Sequence, residues 1–319
     1  MSRDVVMSRR SWFMNSDSTL TTKELSQVSQ HWAEHHDDFG RHTHWTEVPA
    51  VRARINEKIS GECNKDLFGY VIEHYFKATE RPVECCLSLG SGGGELERGL
   101  AQYVIPKIHV GVEISGPLVA LAREQAAGFP HIQYRQDDLN TSELGEGEND
   151  LVIAHQSLHH VLNLEGLFHR IKRCMKPRAI FVFDEYVGPR RFQWSDRQLE
   201  CINGLIHVLP ESLNRNVEKG RRRDNVIRCT PRQVAKMDPS EAIRSDEIVK
   251  LARDNFTIVE YKPYGGTILH MLLALTAGNF MNDEAKPWLD MLFQVEDLLL
   301  PELGSDFAAM VCVLPETQG

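Results

Sequence analysis

Cys86-Leu-Ser-Leu-Gly-Ser-Gly-Gly-Gly94-Glu-Leu96 passes from an apolar run into a glycine cluster and then into helix-forming residues. Val83 to Leu89 reads as a buried strand and Glu95 to Tyr103 as the helix after it. At Gly90, Gly92, Gly93 and Gly94 the missing Cβ lets the backbone come close to a ligand, and the helix N-terminus then faces that ligand. A second apolar run, Ile108 to Val112, closes on Glu113, nineteen residues past Gly94. A carboxylate at this strand end can accept both hydroxyls of a ribose, as in nucleotide-binding α/β folds. Three consecutive glycines carry an entropic cost that a bare turn does not need, which favours a ligand cradle over a simple turn. Their positions do not give the Gly-x-Gly-x-x-Gly spacing of nicotinamide-dependent dehydrogenases, the competing reading.

Three more strands fit the same plan. Ile132 to Arg135 leads into Asp137-Asp138-Leu139-Asn140, and Asp150 to Ala154 leads into His155-Gln156. Met175-Lys-Pro177 precedes Ala179 to Phe183, which ends on Asp184-Glu185-Tyr186. With these in place, residues 80 to 190 resemble the class I S-adenosylmethionine-dependent methyltransferases. The resemblance rests on the glycine loop, the ribose acid Glu113, the Asp138-Leu139 pair, Leu158-His159-His160 and Lys176-Pro177. The chain departs from the family at Ser88, where an acid usually stands. The implied fold class is α/β, a Rossmann-like seven-stranded, mostly parallel sheet with helices on both faces. An N-terminal helical cap (1–80), a cofactor-binding core (81–190), a helical lid insertion (191–255) and a C-terminal completion of the sheet (256–319) are expected.

The composition is that of an ordinary globular protein, with 42% hydrophobic and 25% charged residues in 319. A net charge of −9 argues against nucleic-acid binding, which would need a basic face. Seven cysteines without metal-type spacing suggest reduced thiols. There is no run of eighteen apolar residues, and Met1-Ser-Arg-Asp4 lacks a secretory apolar segment. The expectation is a cytoplasmic protein, away from membranes, with a homo-oligomer open. Residues 1 to 20 read as frayed. Helices are expected over Thr22 to Phe39, Pro49 to Lys77, Ser195 to Val208, Glu241 to Arg253 and Thr267 to Leu300. Phe256 to Lys262 and Ala308 to Leu314 read as strands.

Ligands of such sheets bind beyond the carboxyl ends of the strands, which here are Gly90, Glu113, Asp138, His155 and Glu185. The resemblance implies S-adenosylmethionine as cofactor, held by Gly90, Ser91, Gly92, Gly94, Glu113, Ile114, Asp138, Leu139 and His155. Either Asp137 or Asp138 would accept the adenine amine; Asp138 directly precedes Leu139, and the other acid would cap the turn. His155 is expected to face the transferable methyl as base or orienting group. Glu185 and Tyr186 are expected on the acceptor side, as catalytic or substrate-binding residues, together with His159 and Arg190. A carboxylate there could hold an ammonium, a tyrosine could flank a positive centre, and an arginine could bind a carboxylate. Arg221-Arg222-Arg223 reads as a solvated surface.

His31, Glu34, His35, His36, His42 and His44 invite a metal reading, but do not form His-Glu-x-x-His. Methyl transfer from a sulfonium needs no metal, so none is expected, and Trp32, Phe39 and Trp45 suggest a helix packed over the site. Hydroxyl and amine acceptors require a base, whereas a thioether requires only positioning. His155-Gln156-Ser157 stands where nucleic-acid and protein amine methyltransferases have Asn/Asp-Pro-Pro-Tyr, which favours a small metabolite. Asp184 to Trp194 also resembles a bacterial small-molecule subgroup that includes methionine S-methyltransferases. That likeness implies the thioether of methionine as acceptor, with a sugar or natural product methylated on oxygen or nitrogen as the alternative. A non-catalytic cofactor-binding regulator is the non-enzymatic reading.

Overall fold

The computed structural model describes residues 24–32 and 43–316. Helix α1 (residues 24–32) is followed by α2 (Pro49–Ser60), α3 (Leu67–Val71) and one π-helical turn, Ile72–Lys77. The α/β alternation then runs β1 (Cys85–Leu89), α4 (Glu95–Leu100), β2 (Ile108–Glu113), α5 (Gly116–Gln125), β3 (Ile132–Gln136), β4 (Asn149–His155), α6 (Leu164–Cys174) and β5 (Met175–Tyr186). An insertion carries α7 (Asp196–Val208), α8 (Pro231–Met237) and α9 (Ile248–Asn255) before β6 (Thr257–Gly265). Helices α10 (Leu269–Leu273) and α11 (Lys286–Leu303) lead to β7 (Phe307–Val313).

The strands form one sheet in the order β3-β2-β1-β4-β5-β7-β6. Strands β1 to β5 pair in parallel, and β7 is antiparallel to both its neighbours. The central strands are apolar on both faces because helices cover both. In β4, Leu151 and Ile153 face one core and Val152 and Ala154 the other. Helix α6 buries Leu164, Leu167, Phe168 and Ile171 on one stripe, all at 0% exposure. Each such side chain stabilises the fold by about 1.5–3 kcal/mol. On the opposite face α2, α3, α7, α10 and α11 share a core with Ile153, Val182 and Val311.

Three expected helices are broken. Pro49 to Lys77 stops at Gly61, with φ +83°, and restarts where the Asp66 carboxylate accepts the Gly69 N–H at 2.8 Å. Glu241 to Arg253 is helical only from Ser245 onwards, because Ala242 takes φ +45°. Thr267 to Leu300 is interrupted after α10, where Leu275 takes φ +62° and two 3₁₀ turns precede α11. Of Thr22 to Phe39, residues 24–32 are helical; the remainder, like residues 1–20 and His35, His36 and His42, lies outside the described residues. Among the described residues no helix is long and apolar enough to cross a membrane.

Candidate active site

A cavity of about 690 Å³, counting its open mouth, lies at the carboxyl ends of β1, β2, β3 and β4. Gly90, Gly92, Glu113, Ile114, Asp138 and Leu139 line it. The glycine loop is tied to β2 by two main-chain bonds, from Gly90 and Ser91 N–H to the Val112 carbonyl, at 2.8 and 3.1 Å. Gly90 has φ +73°, and a Cβ there would stand 2.5 Å from Ser157 Cβ, so backbone alone fits between the strand end and Ser157.

Glu113 is 7% exposed and braces this loop. One carboxylate oxygen accepts the Gly92 N–H at 2.9 Å, and the other accepts the Ser115 N–H at 2.8 Å. Burial raises its pKa, and these amides work against that rise. Each oxygen keeps a second lone pair, so the pair can still accept the two hydroxyls of a ribose. Two adjacent acids have separate places. Asp138 lines the cavity and accepts the Asn140 N–H at 2.9 Å, while Asp137 accepts the Ser142 hydroxyl at 2.7 Å in the turn.

Ser91 and Gly94 do not line the cavity. Ser91 turns back onto β2, where a Cβ on Gly111 would meet its side chain at 2.8 Å. Gly94, with φ +83°, begins α4 against Tyr134, whose hydroxyl would lie 2.3 Å from an added Cβ. Packing against Tyr134 accounts for a glycine at this position. Ser88, the departure from the family pattern, accepts or donates a 2.8 Å hydrogen bond with His109 Nε2 inside the sheet.

The catalytic and acceptor-side residues separate by face. In β5, Ile180, Val182 and Tyr186 share one core and Phe181 and Phe183 the other, so Asp184 and Glu185 point oppositely. Glu185 is fully buried: one oxygen accepts the Ser157 and Leu158 N–H groups, both at 2.5 Å, and the other meets His159 Nδ1 at 2.7 Å. It cannot hold an acceptor ammonium and serves to position the β4–α6 turn. Tyr186 is 2% exposed, donates to the Pro189 carbonyl at 3.0 Å and packs on Phe192 and Phe307. It is a core aromatic. Arg190 is paired outside the cavity with Asp246 at 3.0 Å and with Glu247 at 2.5 Å, so it offers no free fork for a substrate carboxylate.

His155 is not among the residues lining this cavity, but it directly precedes Gln156 and Ser157, which are. Its side chain is 46% exposed, lies edge-on to Phe68 at 5.7 Å, and meets Asp184 Oδ2 at 3.2 Å through Nδ1. The Tyr264 hydroxyl donates to the other Asp184 oxygen at 2.6 Å and fixes the carboxylate. Surrounding protein disfavours the imidazolium, but the Asp184 bond and charge outweigh this and raise the His155 pKa.

Several lining residues lie outside the motifs. Val28 and Trp32, four residues apart, present one face of α1 to the cavity, and the Ser115 hydroxyl donates to the Ser29 carbonyl at 3.3 Å. That spacing was visible in the sequence. Asn140 lines the wall and its side-chain carbonyl accepts the Leu162 and Asn163 N–H groups, both at 2.9 Å. His160 and Ser240, 80 residues apart, meet at 3.0 Å, and no local pattern announces the pair.

Residues 87–183 match the model of a methyltransferase domain. With the sheet order and the cavity, this makes the core a class I S-adenosylmethionine-dependent methyltransferase domain. S-Adenosylmethionine is the cofactor of that class, and the glycine cradle and Glu113 fit it. The chain is 28% identical over 140 residues to a polyamine aminopropyltransferase of Chromobacterium violaceum, covering 41% of this chain and 54% of that one. It is 27% identical over 129 residues to the phosphoethanolamine N-methyltransferase of Plasmodium falciparum, covering 39% and 47%. It thus spans about half the length of these curated relatives. Geranyl diphosphate C-methyltransferase from Streptomyces coelicolor shares the fold at a TM-score of 0.54 and 12% identity, over 91% of this chain and 98% of that one.

Proposed function

We propose that this protein transfers a methyl group from S-adenosylmethionine to a hydroxyl or amine of a small polar metabolite, with His155 as the base. The observation that carries the choice of acceptor is the His155–Asp184–Tyr264 chain, at 3.2 and 2.6 Å, at the open end of β4. A thioether acceptor would need no such base. The methionine reading also relied on Arg190 for a carboxylate and Glu185 for an ammonium, and both are engaged elsewhere. Relatives whose names record small polar compounds, a phosphoethanolamine and a polyamine, agree with an acceptor of this size.

Bound cofactor supplies the methyl group already activated as a sulfonium. The chain's own residues have four tasks. The glycine loop and Glu113 fix the nucleoside; Asp138 and Leu139 stand where the adenine lies. Asp184 holds His155 Nδ1, which leaves Nε2 to take the proton of the acceptor O–H or N–H. Phe68 packs edge-on against His155, and Trp32 covers the cofactor cavity. Incubation with methyl-labelled S-adenosylmethionine and a metabolite pool, read by mass spectrometry, tests this. Label on an oxygen or nitrogen is expected. Label on methionine sulfur would restore the thioether reading, and cofactor binding without any transfer would favour the non-catalytic regulator.

A further inference from the structure

Beside the cavity wall, two histidines of the β4–α6 turn face a carboxylate of the insertion. His159, His160 and Glu241 each offer a donor atom within 4.8 Å of the others. His159 Nε2 and Glu241 Oε1 are 3.7 Å apart, too far for a hydrogen bond but suited to two ligands of one ion. Each ring is oriented through its other side. His159 Nδ1 is held by Glu185 at 2.7 Å, the carboxylate–histidine pairing that supports metal ligands. His160 Nδ1 is held by the Ser240 hydroxyl at 3.0 Å, and that hydroxyl donates to Asp238 Oδ1 at 2.7 Å.

A second observation points the same way. Asp238 is 2% exposed, and its Oδ2 lacks a hydrogen-bond partner while lying 3.6 Å from His160 Nδ1. Three carboxylates, Asp238, Glu241 and Glu185, therefore surround two imidazoles. The nearby Arg191 guanidinium donates to the main-chain carbonyls of Asp238, Pro239 and Glu241, at 3.4, 2.7 and 2.9 Å, which pins the loop, and its single charge offsets only part of the three carboxylates. Excess negative charge in a buried pocket is relieved by a cation.

We propose that His159, His160 and Glu241 bind a divalent transition-metal ion, with Zn²⁺ as the type, at the wall of the cofactor cavity. Two imidazole nitrogens and one carboxylate suit zinc or a neighbouring metal better than the all-oxygen preference of magnesium or calcium. The ion joins the insertion to the β4–α6 turn. Three protein ligands leave a fourth position open. His160 and Ser240 line the cavity, so the ion would stand at its wall.

The test is Zn²⁺ titration of the metal-stripped full chain in competition with a chromogenic chelator, with Co²⁺ spectra as the second readout. One equivalent of Zn²⁺ per chain is expected. Glu241→Gln and His160→Ala should each weaken it at least tenfold, and the visible Co²⁺ bands of a four-coordinate site should vanish in both. Joint replacement of His35 and His36 by alanine, in the N-terminal histidine cluster, should change neither. Wild-type protein that takes up no stoichiometric Zn²⁺ overturns the proposal without recourse to a variant. So does binding that is lost with His35 and His36 but kept in Glu241→Gln. S-Adenosylmethionine titration of the same samples reports the methyltransferase reading separately.

Discussion

His155 and Asp184 are register partners at the ends of β4 and β5, and their pairing has a consequence for rate against pH. Asp184 raises the His155 pKa above 6.5, although the surrounding protein works the other way. A base must be neutral to accept a proton, so kcat should fall as pH drops through this raised value. The acid limb therefore lies above pH 6.5. His155→Ala should lower kcat by about 10²–10⁴-fold and abolish that limb, read at saturating cofactor and acceptor. An unchanged limb in the variant would assign the base elsewhere. The same residue contributes to stability with the opposite sense: the stabilisation is present below the unfolded pKa and lost as pH rises through the folded one.

Glu97 gives a second prediction at this scale. It is 1% exposed, neither carboxylate oxygen has a partner in hydrogen-bonding geometry, and burial pushes its pKa up to about 7. Between pH 4.5 and 7 the folded chain holds a proton that the unfolded chain has released, so stability falls as pH rises across this window. Glu97→Gln removes the penalty. Denaturant unfolding should show the variant gaining on wild type from pH 5 to pH 8, by an amount on the order of 1–3 kcal/mol. A difference that does not change with pH would contradict the assignment.

At the scale of elements, the α/β alternation was legible because strand and helix differ in period. Apolar runs ending on Gly90, Glu113 and His155 became β1, β2 and β4, and the Ser195 side chain caps α7 at Gln198 N–H as a serine should. The broken helices were not legible. Thr267 to Leu300 breaks at a left-handed Leu275 and at two 3₁₀ turns over the polar stretch Asn279 to Lys286, where the Asn282 side chain accepts the Ala285 N–H. One misplacement was avoidable: neighbouring residues of a strand cannot share a pocket, so Glu185 and Tyr186 could not both face the acceptor. Arg190 could not be placed, because its partners Asp246 and Glu247 lie more than fifty residues on and no local pattern links them.

The glycine loop supplies the element-scale prediction. Gly90→Ala places a Cβ against Ser157 at a positive φ, whereas Gly92→Ala at φ +52° meets nothing within 4 Å. The first should cost roughly 1–3 kcal/mol of stability, and the second about 1 kcal/mol from backbone strain alone. Thermal unfolding of the two variants distinguishes them, and equal losses would mean that the loop yields freely at Gly90.

At the scale of the molecule, the cofactor half of the cavity was readable and the cover only in part: a helix carrying Trp32 was expected over the site, whereas Ser240 was not. Glu113 ends β2, and Asp138 and Leu139 follow β3, within the stretch matched by the methyltransferase domain. The cover comes from Trp32 of α1 and Ser240 of the insertion, which only the folded chain brings to one opening. Trp32→Ala should therefore raise the dissociation constant of S-adenosylmethionine while leaving thermal stability of the apoprotein nearly unchanged. A loss of stability without a change in binding would make α1 a structural strap.

The central claim is that the Gly90–Glu113–Asp138 cavity holds S-adenosylmethionine, and calorimetric titration of wild type and Glu113→Ala tests it most directly. One S-adenosylmethionine or S-adenosylhomocysteine per chain is predicted. Glu113→Ala should bind about 2–4 kcal/mol more weakly, through loss of charge-assisted bonds to the ribose. Heat with NAD but none with either adenosyl ligand, or unaltered binding in Glu113→Ala, would contradict it.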